Sequence, residues 1–64
     1  MTEFRTVSTG TGAQIERVTA GDLVEIFAGY DFMGSVNWTT DRAAADTMSP
    51  EEAEQIKADL IAAE

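Results

Sequence analysis

The apolar residues of this 64-residue chain change their spacing along its length. Up to Thr39 they alternate with polar residues or form short runs, a pattern that is typical of β-strands. After Ala53 they recur at Ile56, Leu60 and Ile61, which is the three- and four-residue spacing of an amphipathic helix. The pattern therefore predicts several strands followed by one helix.

Four segments have the composition of strands, and small polar or glycine-rich turns separate them. They are residues 2–7, 13–19, 23–28 and 35–39. The third segment is apolar and β-branched with Glu25 as its only charge, so we expect it to be central in the sheet. The second segment is weaker, and the pattern leaves open whether the first two strands both form. The short connections leave no room for parallel crossovers, so the strands are expected to form an antiparallel meander.

The start of the C-terminal helix is predicted by a set of capping residues. Ser49 is a good N-cap, and Pro50 suits the first helical position because its missing N–H is no loss there. Glu52 can reach back to the amide of Ser49 and complete a capping box. Met48 and Ala53 occupy the positions of a hydrophobic staple on either side of the cap.

A shorter helical turn is predicted over residues 42–46, after the capping pair Thr40 and Asp41, with a break near Thr47. The predicted fold class is α+β: an antiparallel meander of three to four strands, a short helical turn, and one amphipathic helix packed on one face. Residues 1–64 form a single small domain, which buries only about 60% of the surface of its unfolded chain. The core must therefore be thin.

The net charge of the chain indicates which classes of partner it can bind. Twelve acidic residues against four basic ones give a net charge of −8 and a pI near 4.1. Such a field repels nucleic acid and anionic membranes and attracts basic proteins. The alternative is that the acidity only keeps a small protein soluble or reflects a salt-rich host.

Three absences from the sequence set the expected compartment. It contains no cysteine, so nothing ties it to an oxidising environment. It has no apolar run of about 20 residues that could span a membrane, and no signal peptide at its start. We therefore expect a soluble, unexported protein of the cytoplasm.

Nothing in the sequence predicts catalysis. Histidine and cysteine are both absent, which removes the usual general base and the strongest nucleophile at neutral pH. The turn at residues 8–12 lacks the Gly-Lys-Ser/Thr ending of a phosphate-binding loop, and no EF-hand spacing is present. The acids are expected on turns and solvent faces, where paired carboxylates do not acquire separate pKa values. We expect no enzyme activity, no cofactor and no metal.

The acidic residues are distributed over every predicted element and are not gathered in a tail, so a folded surface should carry them. Acids three residues apart on a helix lie about 5 to 6 Å apart, and alternate residues of a strand about 6.8 Å. Such an array could imitate the phosphates of DNA; the alternative is a solvated acidic surface without a role. The acids expected to contact a partner are Glu25, Asp31, Asp41, Asp46, Glu51, Glu52 and Glu54.

Three large apolar residues lie in a predicted loop at residues 29–34, between two glycines. In so thin a core, Phe32 and Met33 are expected to fold back over one end of the sheet. The alternative is that Tyr30 and Phe32, with Met33, are exposed anchors for a partner. Trp38 is expected in the core, on the same strand face as Val36.

The chain resembles the small acidic anti-CRISPR proteins encoded by phages, specifically inhibitors of type I effector complexes such as type I-C. The resemblance rests on size, charge, the lack of cysteine and histidine, and the segments Trp-Thr-Thr-Asp (38–41) and Ser-Pro-Glu-Glu-Ala (49–53). It implies a noncatalytic monomer that acts as a DNA mimic on a Cas subunit and blocks target DNA or PAM recognition. The alternative is a small phage or mobile-element adaptor that binds a partner through the loop from Tyr30 to Met33.

Overall fold

The computed structural model describes residues 2–63 and contains one four-stranded antiparallel sheet, a single turn of 3-10 helix and one α-helix. The elements are β1 (Glu3–Thr9), β2 (Gly12–Thr19), β3 (Leu23–Tyr30), β4 (Val36–Thr39), the 3-10 turn (Arg42–Ala44) and α1 (Pro50–Ala62). Their order in the sheet is β1-β2-β3-β4, so each strand pairs with its neighbour in sequence. The predicted α+β meander with a C-terminal helix is confirmed, and the first two strands both form.

The helix begins as its capping residues predict. Pro50 occupies the first turn, and the side chain of Ser49 accepts a hydrogen bond from the amide of Glu52 at 3.2 Å. The capping box is only half formed, because the Glu52 carboxylate contacts the Ser49 hydroxyl at 3.4 Å and does not receive the Ser49 amide. Ala53 and Leu60 are buried. Ile61, which was assigned to the apolar face, is 52% exposed, because it is rotated by about 100° around the helix axis from the buried Leu60.

The sheet curls so that its two edge strands approach each other on the side that faces the helix. The rings of Phe4 in β1 and Trp38 in β4 are 6.1 Å apart between centroids, and Phe27 packs edge-on against Trp38 at 6.1 Å. Arg17 stacks on the same indole, with its guanidinium carbon 4.1 Å from the ring centroid. Ile15 is fully buried at the centre of this concave face.

Residues 45–49, between the 3-10 turn and α1, form a crossing segment that closes a gap between β2 and β3. β2 and β3 pair only from Glu16 and Ile26 towards their shared turn, and they separate at the other end. There the amide of Asp46 donates to the carbonyl of Phe27 at 3.1 Å. Met48 exchanges two backbone hydrogen bonds with Ala13, at 2.7 and 2.9 Å. This crossing segment satisfies backbone groups that the diverging strands would otherwise leave unpaired.

The 3-10 turn, which precedes the crossing segment, and α1, which follows it, contact opposite faces of the sheet. Alternation along β2 places Gln14 and Glu16 on the face away from α1. Arg42 covers both: its guanidinium donates to the side-chain oxygen of Gln14 at 2.7 Å and to the Glu16 carboxylate. The 3-10 turn therefore covers one face and the helix covers the other, and the crossing segment connects them.

The expectation that the acids lie on turns and solvent faces is wrong for Glu16. It is buried, with 5% of its surface exposed, and the Nε of Arg5 donates to it at 2.8 Å. The hydrogen bond from Arg42 lowers the pKa of the Glu16 carboxyl below its ordinary value of 4.5; burial opposes this shift and Arg5 adds to it. The second strand, which looked weak because of its polar residues, is therefore the most buried strand.

All four strands begin or end one or two residues away from their predicted positions, and the helical turn predicted over residues 42–46 ends at Ala44. β3 does not end at Gly29 but continues to Tyr30, because Gly29 adopts a φ of +91° within an irregularity in the pairing with β4. A residue without Cβ can adopt this conformation and keep the strand in the sheet. β4 begins one residue later than predicted, at Val36, since Ser35 belongs to the turn. Among residues 2–63, no helix has the length and apolarity needed to cross a membrane.

Candidate interaction site at the acidic end of the sheet

All four basic residues of the sequence are engaged in ion pairs. Arg5 and Arg42 both pair with Glu16, Arg17 pairs with Glu25, and Lys57 pairs with Glu54 at 3.0 Å. Three acids therefore pair with all four basic side chains, and Glu16 takes two of them. The other charged side chains of residues 2–63 are all acidic.

Twelve acids are present in the sequence, of which three are paired and Glu64 lies outside the described residues. Eight acids of residues 2–63 consequently have no ion-pair partner. They are Glu3, Asp22, Asp31, Asp41, Asp46, Glu51, Glu52 and Asp59. Their positions in the fold decide whether they form a surface.

Four of these acids lie at the end of the sheet where β3 ends, β4 begins and α1 starts. We call this group, Asp31, Asp46, Glu51 and Glu52, the acidic end. Asp46 is held there by its bond to Phe27, and a Cβ atom placed on Gly29 would lie 2.8 Å from its carboxylate. Glu51 and Glu52 occupy the first turn of α1, where the positive end of the helix dipole stabilises acidic side chains.

The other expected partner-binding acids do not belong to the acidic end. Glu25 faces the concave side of the sheet, where the Nε of Arg17 donates to it at 3.2 Å. Asp41 accepts a hydrogen bond from the amide of Ala43 and caps the 3-10 turn on the opposite side of the sheet. The predicted set of seven acids is therefore divided among several surfaces.

Glu54 has two partners on the helix side of the sheet. The hydroxyl of Thr6 donates to its carboxylate at 2.7 Å, and Lys57 contacts it one turn later in the helix. Hydrogen bonding from Thr6, followed by that from Lys57, lowers the pKa of the Glu54 carboxyl. This acid fastens α1 to β1, so it is already used within the fold.

Three of the unpaired acids lie at the opposite end of the sheet. Glu3 begins β1, Asp22 lies in the turn between β2 and β3, and Asp59 is in the last part of α1. They share the charge of the acidic end, but the exposed large apolar residues next to them in sequence, Leu23 and Ile61, are aliphatic and each 52% exposed. They provide a natural internal control for tests of the acidic end.

The acidic end also carries the two most exposed large apolar residues of the described chain, together with a half-exposed tyrosine. Phe32 is 98% exposed, Met33 is 78% exposed and Tyr30 is 50% exposed. The expectation that Phe32 and Met33 fold back over the sheet is therefore wrong. The loop between β3 and β4 is too short and too tightly hydrogen-bonded for these side chains to reach the core. The side chains are exposed, as the alternative requires, and their role as anchors for a partner stays a prediction.

The described residues offer little to a small molecule or a metal ion. No group of three or more carboxylates within residues 2–63 is arranged to hold a metal. One open depression is lined by residues of α1 alone, namely Pro50, Glu51, Glu54, Gln55 and Ala58. A depression formed by a single helix does not enclose a ligand, so the acidic end is the stronger candidate site.

Comparison of the chain with protein-family models, with curated proteins and with solved structures finds no match in any of the three. The candidate site therefore has to be interpreted from its own chemistry.

Proposed function

We propose that this protein is a noncatalytic inhibitor that binds a basic nucleic-acid-binding protein as an acidic DNA mimic. The sequence resemblance suggests a Cas subunit of a type I CRISPR complex as the partner, with target DNA or PAM recognition as the step that is blocked. The protein would act as a monomer in the cytoplasm of the bacterial host. The observation that supports this proposal is that all four basic side chains are paired with Glu16, Glu25 or Glu54, which leaves the acids at the acidic end without a cation partner.

Because of this pairing, the acidic end carries charge of one sign. A backbone hydrogen bond fixes the main chain at Asp46, and the capped first turn of α1 fixes it at Glu51 and Glu52. Carboxylates on a backbone placed in this way can meet Lys and Arg side chains that otherwise contact phosphates. The association should be fast and should weaken with salt, because screening shortens the range of the attraction.

The direct test is competition with DNA. A purified type I-C effector complex would be mixed with labelled target duplex, and the protein would be titrated in a mobility-shift assay. We expect displacement of the duplex at low salt, with a steep loss of inhibition between about 50 and about 500 mM salt. Failure to compete at the lowest salt concentration contradicts mimicry of DNA on this complex.

Two variants of equal charge make the test specific for the acidic end. One is Asp46→Asn, Glu51→Gln, Glu52→Gln, and the matched control at the opposite end is Glu3→Gln, Asp22→Asn, Asp59→Asn. Both remove three negative charges, so a general effect of net charge weakens both equally. We expect inhibition to fall at least about tenfold in the first variant and to change little in the second.

A second candidate function is that of a small phage or mobile-element adaptor whose charge serves only solubility. The near-complete exposure of Phe32 favours it, since large exposed apolar side chains at a loop tip are frequent interface anchors. Binding that is insensitive to salt and is lost in Phe32→Ala would support the adaptor. Binding that falls steeply with salt would support the inhibitor.

A further inference from the structure

The tip of the β3–β4 hairpin, residues 31–35, presents two consecutive large apolar side chains to solvent. Phe32 and Met33 are 98% and 78% exposed, and neither belongs to the hydrophobic core. Single exposed apolar residues are common on protein surfaces, but adjacent ones on a projecting turn form a patch that usually meets a partner. In this domain the core is small, so leaving two large side chains outside it forgoes stabilisation that folding could have used.

The hairpin tip is ordered, and one residue orders it. The carboxylate of Asp31 accepts hydrogen bonds from the amides of Met33 and Ser35, both at 2.9 Å. The amide of Asp31 donates to the carbonyl of Ser35 at 2.8 Å, and its carbonyl receives the amide of Gly34 at 3.0 Å. The backbone that carries the two apolar side chains is therefore already fixed, and a partner does not have to order it.

The surroundings of the hairpin tip are acidic. Asp31 is part of the tip, Asp46 lies beside Gly29 one residue before Tyr30, and the first turn of α1 adds two more acids at the same end. Every cation of the chain is paired with Glu16, Glu25 or Glu54, none of which belongs to this group. A purely apolar partner surface would strip water from these carboxylates without compensation. A purely phosphate-binding cleft would leave the aromatic ring of Phe32 in water.

We infer that Phe32 and Met33 are the apolar anchor of the interface, and that the partner surface is an apolar patch bordered by Lys or Arg side chains. This inference rests on the proposed inhibitor function and adds a second component to it. The acids provide the rate and the salt dependence of association, and the anchor provides binding that persists when salt screens the charges.

The chemistry of the partner surface can be tested with defined peptides and the complete protein. The first probe is a helical peptide with Lys on one face and Leu on the other. The second has the same number of Lys residues, with Gln in place of each Leu. Affinities would be measured by titration calorimetry at low and high salt. Chemical-shift changes in amide NMR spectra would locate the contact.

We expect the Lys–Leu peptide to bind at least about tenfold more tightly than the Lys–Gln peptide, with shift changes at residues 31–35 and at Asp46. The double variant Phe32→Ser, Met33→Ser should bind both peptides with the affinity that the wild type shows for Lys–Gln. The matched control is Leu23→Ser, Ile61→Ser, which removes two other exposed apolar side chains, each 52% exposed. It should retain the preference. Circular dichroism should confirm that both variants fold, since none of these side chains is buried.

Each alternative result has a definite meaning. Equal affinity for both peptides, or a preference that survives Phe32→Ser, Met33→Ser, overturns the anchor while leaving the electrostatic function intact. A preference lost equally in the control variant also overturns it, because the effect is then one of general surface apolarity. If the affinity for the Lys–Leu peptide does not change with salt, the inference that Lys or Arg side chains border the apolar patch is overturned. If neither peptide binds at low salt, the proposed inhibitor function itself fails.

Discussion

Arg42 lies across the face of the sheet opposite the helix and donates a hydrogen bond to the buried carboxylate of Glu16, which Arg5 contacts from the neighbouring strand. The same guanidinium donates to Gln14, and the side-chain amide of Gln14 returns a hydrogen bond to the Arg42 carbonyl at 3.2 Å. This exchange attaches the 3-10 turn to the sheet. No buried side-chain nitrogen or oxygen in the described residues is left without a partner.

The first prediction concerns the stability that Arg42 provides. Arg42→Ala removes a donor from Glu16 and from Gln14, so two buried polar groups lose a partner. We expect the free energy of unfolding to fall by about 1 to 3 kcal/mol, measured by urea denaturation. Lys57→Ala is the control, because a helix-surface ion pair of this spacing contributes only about 0.3 to 0.5 kcal/mol. Equal losses in the two variants would show that Arg42 acts only as a surface charge.

The second prediction is the pH dependence of stability that comes from Glu16. Its pKa is lowered in the folded state, chiefly by the hydrogen bond from Arg42, so its contribution is complete above its ordinary value of 4.5. The contribution is lost as the pH falls through the lowered folded-state pKa. A fall in pH also reduces the net charge of −8, and the weaker repulsion within the chain acts in the opposite direction.

Comparison with Glu16→Gln separates the two effects. The variant lacks the titrating group but keeps all the exposed acids, so repulsion changes equally in both proteins. We expect the stability difference between wild type and variant to be constant near neutral pH and to shrink below about pH 4.5. Thermal unfolding across this range provides the measurement. A difference that stays constant down to the acid limit contradicts the assigned role of Glu16.

The parts of the fold that were predictable depend on local pattern. The capping sequence around Ser49 and Pro50 signals the start of a helix by itself, and short turns between apolar segments dictate an antiparallel meander. The unpredicted parts depend on contacts distant in sequence. The acids were expected on solvent faces, but Glu16 is buried because Arg42, 26 residues later in the chain, and Arg5 on the neighbouring strand both donate to its carboxylate.

The residues of the candidate site also divide into those that local pattern predicts and those whose positions depend on contacts distant in sequence. Glu51 and Glu52 were predicted as partner-binding acids and lie on the solvent side of the helix, where they are available. Glu25 was also predicted as a partner-binding acid, but it lies directly opposite Arg17 on the neighbouring strand. Only the register between β2 and β3 determines this pairing. For Phe32, burial was expected from the need of a small core for apolar residues, but the hydrogen bonds of Asp31 hold the hairpin tip outside that core.

The third prediction tests the crossing segment at its closest approach to the sheet. A Cβ atom on Gly12 would lie 2.5 Å from the carbonyl oxygen of Met48, which cannot move without breaking its hydrogen bond to Ala13. We expect Gly12→Ala to cost about 1 to 3 kcal/mol in unfolding free energy, as overpacking does elsewhere. Gly10→Ala is the control in the same turn, where nothing lies within 4 Å, and it should change stability by less than about 0.5 kcal/mol.

The fourth prediction concerns the hairpin tip and separates its order from the stability of the fold. Asp31→Ala removes the acceptor of the Met33 and Ser35 amides, so both should exchange with solvent faster. Asp31→Asn removes the charge but keeps an acceptor oxygen, so exchange should stay close to that of the wild type.

The free energy of unfolding should change little in either variant, because residues 32–35 are exposed and contribute nothing to the core. Amide exchange measured by NMR, together with urea denaturation, distinguishes the two quantities. Equal exchange rates in Asp31→Ala and wild type would mean that the two-strand pairing alone orders the tip. The rigidity on which a preformed anchor depends would then not come from Asp31, and Asp31 would be available to a partner as a free carboxylate.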